Sequence, residues 1–209
     1  MKTSLLLPRG IGALFGAAML VALTFQVSAQ VVPAEVGGIE FDDLQSPNPG
    51  GTKNKSFKPK DWLEVEASLK IPAQNREQQE TGFIDRVVVK WYVAMKEKVS
   101  GKVVLLTKDI NHINVPVDEE VFTSVYLSPN TIKRLTGSDR AGKTSVEVVA
   151  LEVLINGVLA GGETSKMKGQ RWWESPNLAR GDRFPLLNKM ETPFKMYWWD
   201  RYAEIEEER

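Results

Sequence analysis

The chain contains no cysteine and a single histidine, His112. The first absence excludes a disulfide framework, a cysteine-ligated metal, a thiol nucleophile and a lipid-modified N-terminal cysteine. The second excludes a multi-histidine metal site. Charge of one sign is missing too: 27 Lys and Arg balance 27 Asp and Glu. Nucleic-acid binders carry a basic excess or stripe, so no nucleic-acid partner is expected. No aspartate-rich calcium loop occurs. The expected cofactor and metal content is none. What is present over 209 residues is a 42% hydrophobic chain, enough to bury a core in one or two domains.

Residues 1–29 read as a cleaved signal peptide. Lys2 and Arg9 give the basic start, Ile11 to Val27 the apolar run, and Val27-Ser28-Ala29 the small residues before the cut. A retained transmembrane helix is the competing reading, but Thr24, Gln26 and Ser28 erode an already short run. A prepilin-type cut after Gly10 is a third reading, and Phe15 stands where pilins want glutamate. Loss of Lys2 and Arg9 leaves a net charge of −2. The expected location is exported: periplasmic, outer-membrane-associated or extracellular.

Residues 30–60 read as an extended arm, broken by Ser46-Pro47-Asn48-Pro49-Gly50-Gly51 and anchored by Ile39 and Phe41. From residue 61 the period is two. Leu63, Val65, Ala67, Leu69 and Ile71 alternate with Glu64, Glu66, Ser68 and Lys70, which predicts a strand with one wet face. Further strands are expected at Ile84–Met95, Val103–Leu106, Val115–Leu127, Val146–Ile155 and Val158–Ala160. Ser100-Gly101 and Asn156-Gly157 mark hairpins, and Thr164–Trp173 extends the last strand past a Gly161-Gly162 bulge. Ser128-Pro129 caps a short helix over Asn130–Leu135. About seven or eight strands at this spacing make residues 61–209 an antiparallel β-sandwich with one short helix.

The catalytic motifs are decoys. Gly137–Thr144 fits the phosphate-binding loop pattern, in which Lys143 would reach a phosphate and Thr144 a magnesium ion. That loop needs a strand before it and a helix after it. Here the order is reversed, so no nucleotide partner is expected. Arg180-Gly181-Asp182 and the Asn54 glycosylation sequon read as loop residues. Asp42-Asp43 and Glu119-Glu120 are adjacent, so on a strand their carboxylates face opposite sides and form no acid/base pair. His112 is expected in a loop, with Ser128, Ser138 and Ser145 in turns, so no triad is foreseen.

Four of six tryptophans lie after residue 170, as Trp172-Trp173 and Trp198-Trp199. On a strand one of each pair would fill the core and its neighbour face out. Trp172, Trp173, Trp198, Trp199, Arg201 and Tyr202 are the candidate binding surface, since exposed aromatics stack on sugars or anchor protein partners. Both pairs could equally cap the core with arginines stacked on them.

Three segments carry a resemblance: Val36-Gly37-Gly38-Ile39-Glu40-Phe41, Val89-Lys90-Trp91-Tyr92-Val93-Ala94-Met95, and Phe194 through Tyr202. On these the chain resembles secreted immunoglobulin-like proteins encoded among type IV pilus genes in Akkermansia-type Verrucomicrobia. The resemblance implies an immunoglobulin-like sandwich, an envelope or pilus-associated location and no enzymatic activity. The leader is not a clear prepilin leader, which departs from a polymerising pilin. The expected function is a non-enzymatic structural or adhesion protein. Its expected partners are envelope or pilus-associated proteins, with self-association through an open edge strand or the arm. The alternative is a module binding mucin glycans through Trp173 or Trp198. A carboxylate hydrolase is the remaining reading.

Overall fold

The computed structural model describes residues 31–48, 58–140 and 142–207. The signal peptide expected at 1–29 and the Asn54 sequon lie outside the described residues.

The arm is extended, and it is paired. β1 (Glu35–Val36) and β2 (Glu40–Gln45) lie antiparallel along β3 (Asp61–Lys70). Gly37 lets the arm pass close over β3, since a Cβ there would meet Ser68 Oγ at 2.2 Å and force that hydroxyl to rotate away. A helix absent from the sequence expectations follows: α1 (Arg76–Thr81), capped by the Asn75 side chain and ended by Gly82 at φ 80°.

β4 (Phe83–Lys96) and β5 (Val103–Pro116) form a long hairpin. This corrects the expected loop at 109–114. Asp109 and Asn111 look like loop formers, but they alternate with buried Ile110 and His112, so the polar groups face outward on a continuous strand. The strand expected at 115–127 is divided instead. Asp118 sits in left-handed backbone, φ 59°, and turns the chain into β6 (Glu120–Leu127). α2 (Pro129–Thr136) stands where expected, with Ser128 capping Thr131 N–H and Gly137 closing it at φ 71°. β7 (Val146–Ile155) and β8 (Val158–Thr164) are joined by Asn156 and Gly157, both at positive φ (51° and 77°), as a type I′ hairpin demands. β8 stops at Thr164 rather than continuing to Trp173. Three two-residue strands complete the set: β9 (Ala179–Arg180), β10 (Leu187–Asn188) and β11 (Glu204–Ile205).

Seven of these strands are six residues or longer, and they form two sheets. The first runs β1 and β2, β3, β6, β10; the second runs β11 and β9, β5, β4, β7, β8, with β9 parallel to β5. The fold is mostly antiparallel β, with two short α-helices among the described residues where the sequence predicts one. The inner faces meet in one core: Leu63, Val65 and Leu69 from β3 pack with Val89, Trp91 and Val93 from β4 and Val149, Leu151 and Val153 from β7. Full burial of each aliphatic side chain stabilises by roughly 1.5–3 kcal/mol. Both open sides of the sandwich are closed by chain. Ala34 N–H donates to Ala160 O beside β1 on one side. On the other, β10 pairs β6 while β11 pairs β5. No helix among the described residues is long and apolar enough to cross a membrane.

Candidate functional site

After β8 the chain covers the outer face of each sheet in turn. The first cover lies on the second sheet. Ala94, Leu105, Val148 and Ala150 give that face an apolar patch, and Trp172 is buried on it. Its Nε1–H donates to Thr164 Oγ1 at 3.1 Å. Trp173 is half-buried, stacked on Tyr92 with ring centroids 4.9 Å apart. Arg171 and Tyr92 both donate to Glu152, each at 2.8 Å. Burial and the Glu152 carboxylate push the Tyr92 hydroxyl well above the ordinary phenol range. The expected strand geometry is therefore corrected: Trp172 and Trp173 sit in a 3-10 turn (Trp172–Glu174), and neither ring stands free as a platform.

The second cover, from Lys189 to Tyr202, lies on the first sheet. Phe194 is its buried anchor, stacked on Tyr126 at 5.5 Å and edge-on to Trp62 at 5.7 Å. Beyond it the chain leaves the surface. Met196, Tyr197, Trp198 and Trp199 are 75%, 42%, 51% and 55% exposed. Trp198 and Trp199 also depart from strand geometry, and neither fills the core. Trp198 is held in left-handed backbone, φ 52° and ψ 40°, ahead of the 3-10 turn Trp199–Arg201. That conformation costs an L-residue roughly 1–2 kcal/mol. Arg201 then returns to the surface, its guanidinium 3.8 Å from the Phe122 ring centroid and 2.7 Å from Glu66.

Under this cover lies an open cleft of about 430 Å³ between β2, β3 and the tail. Its floor is the outer face of β3, which the sequence predicts to be wet. Instead Glu64 and Glu66 are each only 8% exposed. Tyr126 donates to Glu64 Oε1 at 2.5 Å, and the Tyr202 hydroxyl donates to Glu66 Oε2. Arg201 donates to Glu66 Oε1. Sheet register sets further carboxylates beside them: Asp42 lies opposite Glu64, and Glu40 opposite Glu66. Like charges directly opposite across strands are destabilising. Burial, chiefly, raises the pKa of Glu64, with Glu66 adding to it and the Tyr126 hydrogen bond opposing it. Lys189, 4% exposed, sits 3.4 Å from the Tyr202 ring centroid and donates to Tyr197 O. Burial draws its pKa down to about 8 against the pull of Glu64 and Glu66. Burial and the neighbouring carboxylates push the Tyr126 and Tyr202 hydroxyls far above the phenol range.

Of the six residues the sequence singles out, Trp198, Arg201 and Tyr202 meet at this cleft and Trp199 stands beside it. Trp172 and Trp173 belong to the opposite sheet. Glu64, Glu66, Glu40, Asp42, Tyr126 and Lys189 were not foreseen. The available signal was the i, i+2 spacing of Glu64 and Glu66, which puts both carboxylates on one face of a strand.

His112 is buried, not in a loop. Its Nδ1–H faces the carbonyls of Ala203 and Glu204, at 3.2 and 3.1 Å. Two acceptors there place the proton on Nδ1, so Nε2 accepts from Thr123 Oγ1 at 2.9 Å. The ring pins the end of the second cover to β5. The Gly137–Thr144 segment follows a helix and precedes β7, the reverse of the context phosphate binding needs. Arg180-Gly181-Asp182 lies against β5: Gly181 N–H donates to Leu105 O at 2.8 Å.

A family model matches residues 25–209. A solved crystal structure of a protein from Akkermansia muciniphila is 34% identical, with a TM-score of 0.77, covering 85% of this chain and 94% of that one. This chain belongs to the family of that Akkermansia muciniphila protein. At 34% identity it is a relative within the family and a different protein from the crystallised one. No curated protein matches. The family match takes in β2, β3 and the whole second cover, so every element that builds the cleft lies inside it.

Proposed function

We propose that this protein is an exported, non-enzymatic component of the cell envelope that acts by binding a protein partner through the Met196–Trp199 ridge. A structural or adhesive role in a type IV pilus-like system is the setting its family resemblance favours. The observation that carries the reading is the ridge itself: four consecutive large apolar side chains, exposed, with Trp198 in strained backbone. Contiguous exposed apolar surface marks interaction sites, and backbone strain gathers where function needs it. Both oxygens of Glu66 and one of Glu64 are held by Arg201 and tyrosine hydroxyls, a structural use of these carboxylates; the absence of enzymatic activity is what the family resemblance implies.

The test is cross-linked recovery of partners from native envelope, comparing the wild-type chain with Trp198→Ala/Trp199→Ala. The expected result is recovery of pilus assembly components by the wild type and their loss in the double variant, since buried tryptophan anchors contribute about 2 kcal/mol or more. Unchanged recovery would overturn the reading. Glycan binding is the second reading, favoured by Trp198 standing on the rim of a polar cleft. It would show as saturable quenching of tryptophan fluorescence by mucin oligosaccharides.

A further inference from the structure

The carboxylates of the cleft form two cross-strand like-charge pairs, Asp42 with Glu64 and Glu40 with Glu66. Such pairs are selected against where stability alone decides. The cations around them do not balance the set. Arg201 is committed to Glu66, Lys189 to the Tyr197 carbonyl and the Tyr202 ring, and Lys143 lies 4.0 Å from Asp42. Three cations therefore stand against four carboxylates. The surplus acceptor is identifiable. Glu64 is more than nine-tenths buried and lines the cleft, and its Oε2 has no hydrogen-bond partner among the described residues.

A metal ion does not suit this arrangement. Among the described residues no three acidic or histidine side chains converge as a metal site. The carboxylates are spread along two strands, which fits a longer, directional cation. Trp198 supplies an apolar wall for an alkyl stem, and its ring is a face for the charged head.

We infer that the cleft seats one lysine or arginine side chain of the protein partner, its charged end against Glu64 and its stem along Trp198. This rests on the protein-partner reading of the ridge and adds the chemistry of the anchor. A partner residue of this kind neutralises the surplus charge and makes a charge-assisted hydrogen bond to Glu64, which a neutral partner does not supply.

The probe is Nα-acetyl-arginine amide, compared with its uncharged isostere Nα-acetyl-citrulline amide and with N-acetylglucosamine. Each is titrated into the full chain while the Trp198 indole N–H is followed by NMR. Saturable binding of the arginine probe, about tenfold tighter than citrulline, is expected. Glu64→Gln should erase that preference, and Glu163→Gln, on the second sheet, should leave it intact. Asp42→Asn, at an exposed edge position, should halve or further weaken the preference and serves where Glu64→Gln fails to fold. Equal binding of arginine and citrulline, binding of N-acetylglucosamine alone, or no saturable shift overturns the inference. If partner recovery still depends on Trp198 and Trp199 in that event, only the cationic anchor falls. If recovery ignores the ridge, the protein-partner reading falls with it.

Discussion

The two covers use one device and reach opposite ends. Each is a length of C-terminal chain laid over the outer face of a sheet, and each carries a tryptophan pair at a 3-10 turn. Over the second sheet the face is apolar, so Trp172 sinks into it and Trp173 stacks on Tyr92. Over the first sheet the face carries Glu64, Glu66 and Ser124 beside Trp62, Phe122 and Tyr126, and its aromatic part is already taken by Phe194 and the Arg201 guanidinium. That cover satisfies the face with Tyr126, Tyr202 and Arg201 and leaves Trp198 and Trp199 outside. The chemistry of the sheet face, more than the tryptophans, decides which cover packs and which presents.

The largest expected effect separates the covers directly. Trp172→Ala should cost about 3–5 kcal/mol in urea unfolding, as for a buried tryptophan, while Trp199→Ala stays within about 0.5 kcal/mol. Similar costs at the two sites would erase the contrast. Next is the pin that holds the second cover. Burial lowers the pKa of His112 from 6.5 to about 4. As pH falls the unfolded chain takes up this proton first, so the contribution is complete above about 6.5 and is lost on the way down to about 4. The loss is about 3 kcal/mol, and unfolding curves at several pH values should show it shrink in His112→Gln. An unchanged acid slope in that variant would remove the pin.

Arg201→Met comes third. It keeps part of the stacking on Phe122 but strips Glu66 of its cation, at an expected cost of about 1–2 kcal/mol by thermal or chemical unfolding. A neutral outcome would mean that Tyr202 alone holds the carboxylate. The smallest effect has the opposite sign. Trp198→Gly relieves the left-handed backbone but adds freedom to the unfolded chain, for a net gain of about 0.5 kcal/mol. A gain in stability with a loss of partner binding is the signature of a residue kept for function.

Much of the sandwich was legible because its inner faces follow a period of two: Leu63 to Ile71 alternates without error, and Val87, Val89, Trp91, Val93 and Met95 keep the same spacing. Asn156-Gly157 and Ser128-Pro129 named their turn and cap directly. Asn75 and Gly82 bracket α1 with ordinary capping signals, but six polar residues between them have no apolar stripe to mark a helix. Asp109 and Asn111 hid the middle of β5 behind residue types that favour loops. The cleft was hidden for a topological reason. Along the chain Asp42 and Asp43 point apart, whereas the sheet sets Asp42 beside Glu64, twenty-two positions on. The wet face of β3 was unreadable as a floor, since nothing local announces that Tyr202 and Arg201 return to cover it.

One measurement tests the division of labour most directly: cross-linked partner recovery from native envelope with Trp198→Gly and with Trp173→Phe, each beside the wild type and each checked for its melting temperature. The presenting cover predicts that Trp198→Gly melts no lower than wild type yet loses its partners, while Trp173→Phe keeps them. Full recovery by Trp198→Gly, or loss of partners in Trp173→Phe at unchanged stability, would contradict it.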